Sequence, residues 1–267
     1  MPEMLTVGPE AAARDIAILR RPGSAPGLFW MGGYRSEMTG SKAQAIDAYG
    51  AARGLAVTRF DYSGHGRSGG AFHDGTISRW LEESLAVFST TAGPQVVVGS
   101  SMGGWLALLL NRALRTAGSD RVKALILIAP AADMTTELME KSFTRAEKKA
   151  MQETGLVLQP SEYSDEPYPI TRALIEDGRN HLLMGSKGID TGCPVTILQG
   201  ARDPDVPKDH ALRLAQHFLT DPVTVTLVPD GDHRLSRPQD LKLLEAAIGR
   251  AIEDGIPAQT DLFATEE

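Results

Sequence analysis

Short apolar runs and longer amphipathic stretches alternate along this chain. The apolar runs predict core strands at 27–31, 55–60, 95–100, 122–128, 194–199 and 223–228, with an edge strand at 15–20. Apolar residues at helical spacing predict helices at 41–53, 76–88, 105–110, 209–218 and 241–252. Repeated strand–helix–strand units form a parallel sheet with helices on both faces, and ligands bind outside the carboxyl ends of its strands. The pattern therefore predicts an α/β fold with its functional site at that edge.

The alternation breaks over residues 134–190. This stretch predicts helical pieces but no strand, and Thr144-Arg145-Ala146-Glu147 matches the capping box that begins a helix. We interpret residues 1–267 as a single domain and residues 134–190 as a small helical lid inserted within it.

Composition excludes several classes of function. A net charge of −7 without a basic stripe argues against nucleic-acid binding. Cys193 is the only cysteine, so the chain has no internal disulfide and no cysteine-based metal site. The apolar run 124–132 is too short to span a bilayer, and the first fifteen residues predict no signal peptide. We therefore expect a cytoplasmic protein without stable membrane insertion, and its oligomeric state stays open.

The pentapeptide Gly-Ser-Ser-Met-Gly at 99–103 lies where a buried strand turns into an apolar helix. Gly99 and Gly103 leave room for a strained turn, so Ser101 at its centre can project its hydroxyl above the strand ends. That is the geometry of a nucleophile elbow. The amide of Met102 begins the helix on the same side and is a candidate donor to an oxyanion. The alternative is a glycine turn with a structural role only.

A second glycine turn follows the predicted strand at 27–31. Gly32 and Gly33 let the backbone approach a ligand closely, and folds with a nucleophile elbow take their second oxyanion donor from a loop in this place. The amide of Tyr34 is our candidate for that donor. A simple turn is the alternative.

A serine nucleophile needs a base that takes its proton and a carboxylate that orients the base. Of the six histidines, His233 follows the last predicted strand, which is where a chain with the order serine, acid, histidine carries its base. The other five lie in loops, in the lid or on a predicted surface helix, and they are His65, His73, His181, His210 and His217.

The acid has one leading candidate and three competitors. Asp203 comes directly after the strand at 194–199, where the backbone is most rigid. Asp205 follows two residues later, and Asp133 comes after the strand at 122–128. Asp232 adjoins His233 in the sequence and is expected to point away from it.

Three strings are more specific than these general motifs. They are Phe-Trp-Met-Gly-Gly-Tyr-Arg-Ser-Glu-Met-Thr-Gly-Ser-Lys-Ala at 29–43, Arg-Phe-Asp-Tyr-Ser-Gly at 59–64, and Val-Gly-Ser-Ser-Met-Gly-Gly-Trp at 98–105. Over nearly its whole length the chain resembles the serine hydrolases of the α/β-hydrolase superfamily. In these strings it resembles the mitochondrial palmitoyl-protein thioesterases that also hydrolyse acyl glucuronides. The resemblance implies an α/β-hydrolase fold with the triad Ser101, Asp203 and His233, and an oxyanion hole formed by the amides of Tyr34 and Met102.

We therefore expect a hydrolase of carboxylic esters or thioesters that forms an acyl-enzyme on Ser101 and uses no cofactor or metal. Its expected substrates are small-molecule esters or thioesters with small to medium acyl groups. Two alternatives stay open, because one fold hosts many reactions. One is hydrolysis of a different bond, as in carbon–carbon hydrolases, peptidases or perhydrolases, and the other is a non-catalytic binding protein. The apolar and aromatic residues of the lid have two possible roles: they line a pocket for an acyl chain, or they only seal the lid onto the core. These residues are Met134, Leu138, Met139, Phe143, Met151, Leu156, Tyr163, Tyr168, Ile170 and Met184.

Overall fold

Strands and helices alternate through the residues that the computed structural model describes, which are 1–160, 167–185 and 188–255. The strands are β1 (Glu3–Val7), β2 (Arg14–Arg21), β3 (Ser24–Met31), β4 (Leu55–Phe60), β5 (Gln95–Ser100), β6 (Val122–Ile128), β7 (Leu156–Gln159), β8 (Tyr168–Thr171), β9 (Val195–Gly200) and β10 (Val223–Val228). The α-helices are α1 (Ser41–Arg53), α2 (Ile77–Ser89), α3 (Met102–Thr116), α4 (Arg145–Thr154), α5 (Arg172–Gly178), α6 (Lys208–Ala215) and α7 (Pro238–Gly255). Shorter 3₁₀ or π turns lie at Glu10–Ala12, Phe72–Asp74, Thr135–Glu140 and Arg179–His181. Among the helices of the described residues, none has the length and hydropathy needed to cross a membrane.

The central sheet has eight strands in the order β1-β2-β4-β3-β5-β6-β9-β10. β2 runs antiparallel to both of its neighbours, and the pairs from β4 to β10 are parallel. This confirms the predicted, mostly parallel sheet, and the structure adds that the edge strands near the N-terminus are antiparallel. The predicted strands at 55–60, 122–128 and 223–228 agree residue for residue with β4, β6 and β10.

Helices cover both faces of the sheet, because successive side chains of a strand point to opposite sides. In β5, Val96 and Val98 are fully buried and belong to the apolar cluster that also contains residues of α1 and α7. Val97 between them belongs to the cluster that contains residues of α2, α3 and α6. The uninterrupted valine run therefore reflects a strand that is buried on both sides, as the sequence predicted.

Residues 134–190 leave the sheet between β6 and β9, and we call them the insertion. The prediction that they hold no strand is wrong, because β7 and β8 pair antiparallel as a separate two-stranded sheet. Both strands have only four residues, and Pro169 interrupts the apolar pattern of β8. Proline is tolerated in such an edge position but removes the usual signal for a strand. The predicted helix with the capping box is confirmed as α4.

Most of the apolar residues of the insertion are used for packing. Phe143, Val157, Ile170 and Ile175 form a small cluster of their own. Met134 is 3% exposed and belongs to the core cluster on the α2 and α3 face. Tyr163 lies outside the described residues. The packing role that the sequence left open therefore applies to the buried members of this set.

Candidate active site

Ser101 lies at a strained turn between β5 and α3. Its φ of 54° and ψ of −119° fall outside the helical and extended regions, as a nucleophile elbow requires. Glycine is needed on both sides: a Cβ on Gly103 would lie 2.1 Å from the Met31 carbonyl oxygen, and one on Gly99 would lie 2.3 Å from that of Gly103. The close approach of three backbone segments therefore explains why the motif carries glycine at these positions.

His233 and Asp203 meet Ser101 at the carboxyl edge of the sheet. The His233 Nε2 atom lies 3.1 Å from the Ser101 hydroxyl oxygen, and its Nδ1 atom lies 2.8 Å from Oδ2 of Asp203. Asp203 follows β9 and His233 follows β10, so neighbouring parallel strands bring them together from 30 residues apart. The Asp203 side chain is fully buried and that of His233 is 15% exposed.

Hydrogen bonds hold both oxygens of Asp203. Oδ1 accepts from the amides of Asp205 and Val206, at 2.9 and 2.8 Å. Oδ2 accepts from Nε2 of Gln199, at 3.2 Å, and faces the His233 ring. A carboxylate can only accept, so Nδ1 of His233 carries the proton and Nε2 offers its lone pair to Ser101.

The three competing acids do not contact His233 in this way. Asp133 accepts the amides of Leu183 and Met184 on its two carboxylate oxygens, and burial raises the pKa of its carboxyl. Asp232 accepts the amide of Leu235 on Oδ1, at 3.0 Å. Asp205 contributes its backbone amide to the Asp203 carboxylate. The geometry therefore brings Asp203 to the histidine, as the sequence predicted.

Within the described residues, one group of side chains has the spacing of a metal site. The ligand atoms of Asp203, Asp205 and His233 all lie within 4.8 Å of one another. A cation there would have to displace the proton by which the His233 ring bonds Asp203. The three side chains are therefore better suited to holding the His233 ring in place by a hydrogen bond than to binding a cation.

The two predicted oxyanion donors lie beside Ser101. Met102 is the first residue of α3, and Tyr34 is in the turn after β3. That turn abuts the elbow, since a Cβ on Gly33 would lie 3.2 Å from the Cβ of Ser101. Neither the Tyr34 nor the Met102 amide donates to an acceptor among the described residues. The protein therefore leaves both amides unengaged, which is a condition that an oxyanion donor must meet.

Three residues that the sequence did not assign to the site support it through hydrogen bonds. Gln199 is a polar residue at the end of an apolar strand, and it bonds Asp203. Lys42 lies in the Met-Thr-Gly-Ser-Lys-Ala string and donates to the carbonyl of Arg234, next to His233. His65 accepts the Arg35 amide on Nε2, at 3.0 Å, and its Nδ1 bonds the Ser63 carbonyl. Burial lowers the pKa of His65 to about 4, so it is a neutral support for the Tyr34 turn.

The comparisons with known proteins agree with this geometry. Residues 22–242 match the alpha/beta hydrolase family. The human mitochondrial palmitoyl-protein thioesterase ABHD10 is 35% identical over 241 residues, which cover 90% of this chain and 77% of the human one.

Two solved structures extend the likeness to three dimensions. A putative hydrolase from Agrobacterium vitis S4 is 51% identical, with a TM-score of 0.91 over 94% of this chain and 98% of that one. The alpha/beta hydrolase domain-containing protein 10 from mouse is 33% identical, with a TM-score of 0.84 over 94% of this chain and 99% of that one. Because the family match spans most of the sequence and these relatives share the whole fold, the chain belongs to the alpha/beta hydrolase family.

Proposed function

We propose that this chain is a serine hydrolase that cleaves carboxylic esters or thioesters through an acyl-enzyme on Ser101. The observation that carries the proposal is the hydrogen-bonded series from Asp203 through His233 to Ser101, next to two unengaged amides. The human relative's name, palmitoyl-protein thioesterase, supports the inclusion of thioesters.

The proposed reaction begins with attack of the Ser101 oxygen on the substrate carbonyl carbon, while His233 Nε2 takes the hydroxyl proton. The Tyr34 and Met102 amides hold the oxyanion of the tetrahedral intermediate. As the intermediate collapses, His233 gives its proton to the departing alcohol or thiol, and the acyl group stays on Ser101. A water molecule, deprotonated by His233, then attacks this acyl group, and as the acid departs His233 returns the proton to the Ser101 oxygen. Asp203 holds the ring and stabilises its charged form throughout.

The insertion is proposed to act as a lid over this site. It leaves the sheet directly after β6, at the carboxyl edge where Ser101 lies. Asp133, directly before it, accepts the amides of Leu183 and Met184 near its other end, so the two ends of the insertion are held together. We propose small to medium acyl groups as substrates, since many of its apolar residues are occupied in packing.

We further propose a cytoplasmic location. The only cysteine, Cys193, is a buried free thiol, so this fold does not depend on an oxidising compartment. Cell fractionation with an antibody to the native protein tests this, and recovery with an organelle would contradict it.

The test of the reaction is hydrolysis of p-nitrophenyl esters from acetyl to palmitoyl, in parallel with the matching acyl thioesters. Ser101→Ala should abolish turnover, and Ser100→Ala, which changes the neighbouring buried serine, is the matched control that should retain it. Ser101→Ala should keep the thermal midpoint of the parent protein, because a half-buried hydroxyl at a turn contributes little packing.

Labelling with a fluorophosphonate separates the nucleophile from the substrate. Wild-type labelling that Ser101→Ala removes supports the nucleophile. Labelling without turnover of any ester or thioester would overturn the substrate class, and full activity in Ser101→Ala would overturn the mechanism.

A further inference from the structure

The turn that carries the Tyr34 amide is hydrogen-bonded to the insertion. The Tyr34 hydroxyl donates to the carbonyl oxygen of Pro169 in β8, at 2.6 Å. In the next residue, the Arg35 guanidinium donates to the carbonyl oxygen of Pro167, at 2.9 Å. These bonds join segments more than 130 residues apart in the sequence. Two successive residues of the turn therefore hold the two carbonyls that flank Tyr168.

The acceptors are both prolines, which have no backbone N–H group. At Pro167 and Pro169 the backbone can be held only through carbonyl oxygens, and Tyr34 and Arg35 supply the donors. Burial raises the pKa of the Tyr34 phenol, so the hydroxyl keeps its proton and donates.

Aromatic contacts fix the direction of these bonds. The Tyr34 ring meets the rings of Phe72, Trp80 and Tyr168 edge to face, with centroids 4.8, 5.9 and 6.0 Å away. The Arg35 guanidinium lies 5.5 Å from the Phe72 ring and 5.8 Å from the Tyr168 ring. Tyr168 therefore packs against both residues of the turn, and the insertion is seated there by ring contacts as well as hydrogen bonds.

The core also holds this turn. Arg35 has a φ of 56°, and its amide donates to Nε2 of the buried His65. A non-glycine residue with this φ persists only where its surroundings hold it. The Tyr34 amide therefore belongs to the residue that is attached to the insertion, and it precedes by one residue the amide that is attached to the core.

We propose that the hydrogen bonds from Tyr34 and Arg35 to the carbonyls of Pro169 and Pro167 position the Tyr34 amide in the oxyanion hole. The Tyr34 hydroxyl is thus a positioning group, distinct from the amide of the same residue that touches the reacting oxygen. When the insertion packs against this turn, the Tyr34 amide is held in position for the oxyanion at the same time. This inference rests on the proposed serine hydrolase function.

The test uses Tyr34→Phe, which keeps the ring and the amide and removes only the hydroxyl. Its matched control is Tyr49→Phe, a buried tyrosine of α1 in the cluster on the opposite face of the sheet. Three quantities are measured: kcat and KM on the best ester, and the inhibition constant of a trifluoromethyl ketone that carries the same acyl chain. The Ser101 oxygen adds to the ketone carbon, its proton passes to His233, and the resulting oxyanion occupies the oxyanion hole.

Loss of an oxyanion donor costs 10²- to 10³-fold in kcat, and a displaced donor costs less, so we expect Tyr34→Phe to lose about tenfold. The ketone's inhibition constant should rise by about the same factor, while KM stays within about twofold because ground-state binding is retained. If the hydroxyl had only a structural role, Tyr34→Phe would lower the thermal midpoint, and the ketone's inhibition constant and KM would change by the same factor. Tyr49→Phe should leave kcat, KM and the ketone's inhibition constant unchanged.

Wild-type kcat and ketone inhibition in a folded Tyr34→Phe would overturn the inference. The proposed function would still stand if Ser101→Ala were inactive in the same assay, and it would fall if Ser101→Ala were active. Arg35→Met removes the guanidinium bond to Pro167 and keeps the backbone, and it provides the test if Tyr34→Phe does not fold. The same joint loss in Arg35→Met supports the inference, and wild-type constants overturn it.

Discussion

Replacing Asp203 by asparagine should stop catalysis by moving a proton on His233. Oδ1 of Asp203 accepts two backbone amides, those of Asp205 and Val206, and these donors cannot turn away. In Asp203→Asn the amide oxygen must therefore take the Oδ1 position, which places the NH₂ group opposite Nδ1 of His233. Since NH₂ donates, Nδ1 must accept, and the ring proton moves to Nε2, which faces Ser101. The ring then cannot take the serine proton.

The expected loss is large for kcat and small for stability. A triad histidine in the wrong tautomer lowers kcat by about 10⁴-fold, which is about 5.5 kcal/mol of activation free energy. The two amide bonds to Oδ1 survive, and only the bond from Gln199 to Oδ2 is lost, at a cost of about 1 kcal/mol in unfolding free energy. Asp203→Asn should therefore be a folded protein with almost no turnover.

The assay compares kcat on the best p-nitrophenyl ester with the urea midpoint of each variant. Asp209→Asn is the matched control, because it makes the same substitution at an exposed carboxylate in the first turn of α6, and its kcat should stay within about threefold of wild type. Asp133→Asn examines the competing acid. It should lower stability, because an asparagine accepts only one of the Leu183 and Met184 amides on oxygen. More than a tenth of wild-type kcat in Asp203→Asn, with a large loss in Asp133→Asn, would refute the assignment.

Two further predictions concern the elbow and a buried histidine. Gly103→Ala should lose about 3 kcal/mol of unfolding free energy, because its Cβ would meet the Met31 and Gly32 carbonyl oxygens at 2.1 and 2.5 Å. Gly185→Ala, whose Cβ meets nothing within 4 Å, is the control, and equal urea midpoints would contradict the elbow geometry. Burial lowers the pKa of His65 to about 4. Between pH 6.5 and 4 the unfolded chain therefore binds a proton at His65, whereas the folded protein does not. Stability should fall by about 3 kcal/mol from this group as pH drops from 6.5 to 4. In urea titrations at pH 7, 5.5 and 4, the unfolding free energy of His65→Asn should fall less with decreasing pH than that of the wild type, because this proton uptake is missing. Equal pH dependence of the unfolding free energy in the two proteins would contradict the prediction.

Local patterns in the sequence were sufficient to predict the sheet, its flanking helices and the elbow. The valine run of β5 and the glycines around Ser101 act over a few residues, and steric and burial rules relate such patterns directly to structure. The order serine, acid, histidine then placed Asp203 and His233 at strand ends, because parallel strands bring their carboxyl ends to one edge. The choice among four aspartates was harder, since it depends on where each carboxylate points.

Only the tertiary structure decided which groups support the site. The hydrogen bonds from Tyr34 to Pro169, from Lys42 to Arg234 and from the Leu183 amide to Asp133 join residues 50 or more positions apart. No local pattern encodes such pairs, because each depends on how the insertion and the loops pack onto the sheet. The hairpin of β7 and β8 was missed for the same reason: two four-residue strands, one of them with a proline, are stable only through each other and the core beneath them. The sequence by itself determined the sheet and the catalytic candidates, whereas packing between distant segments determined how those candidates are held.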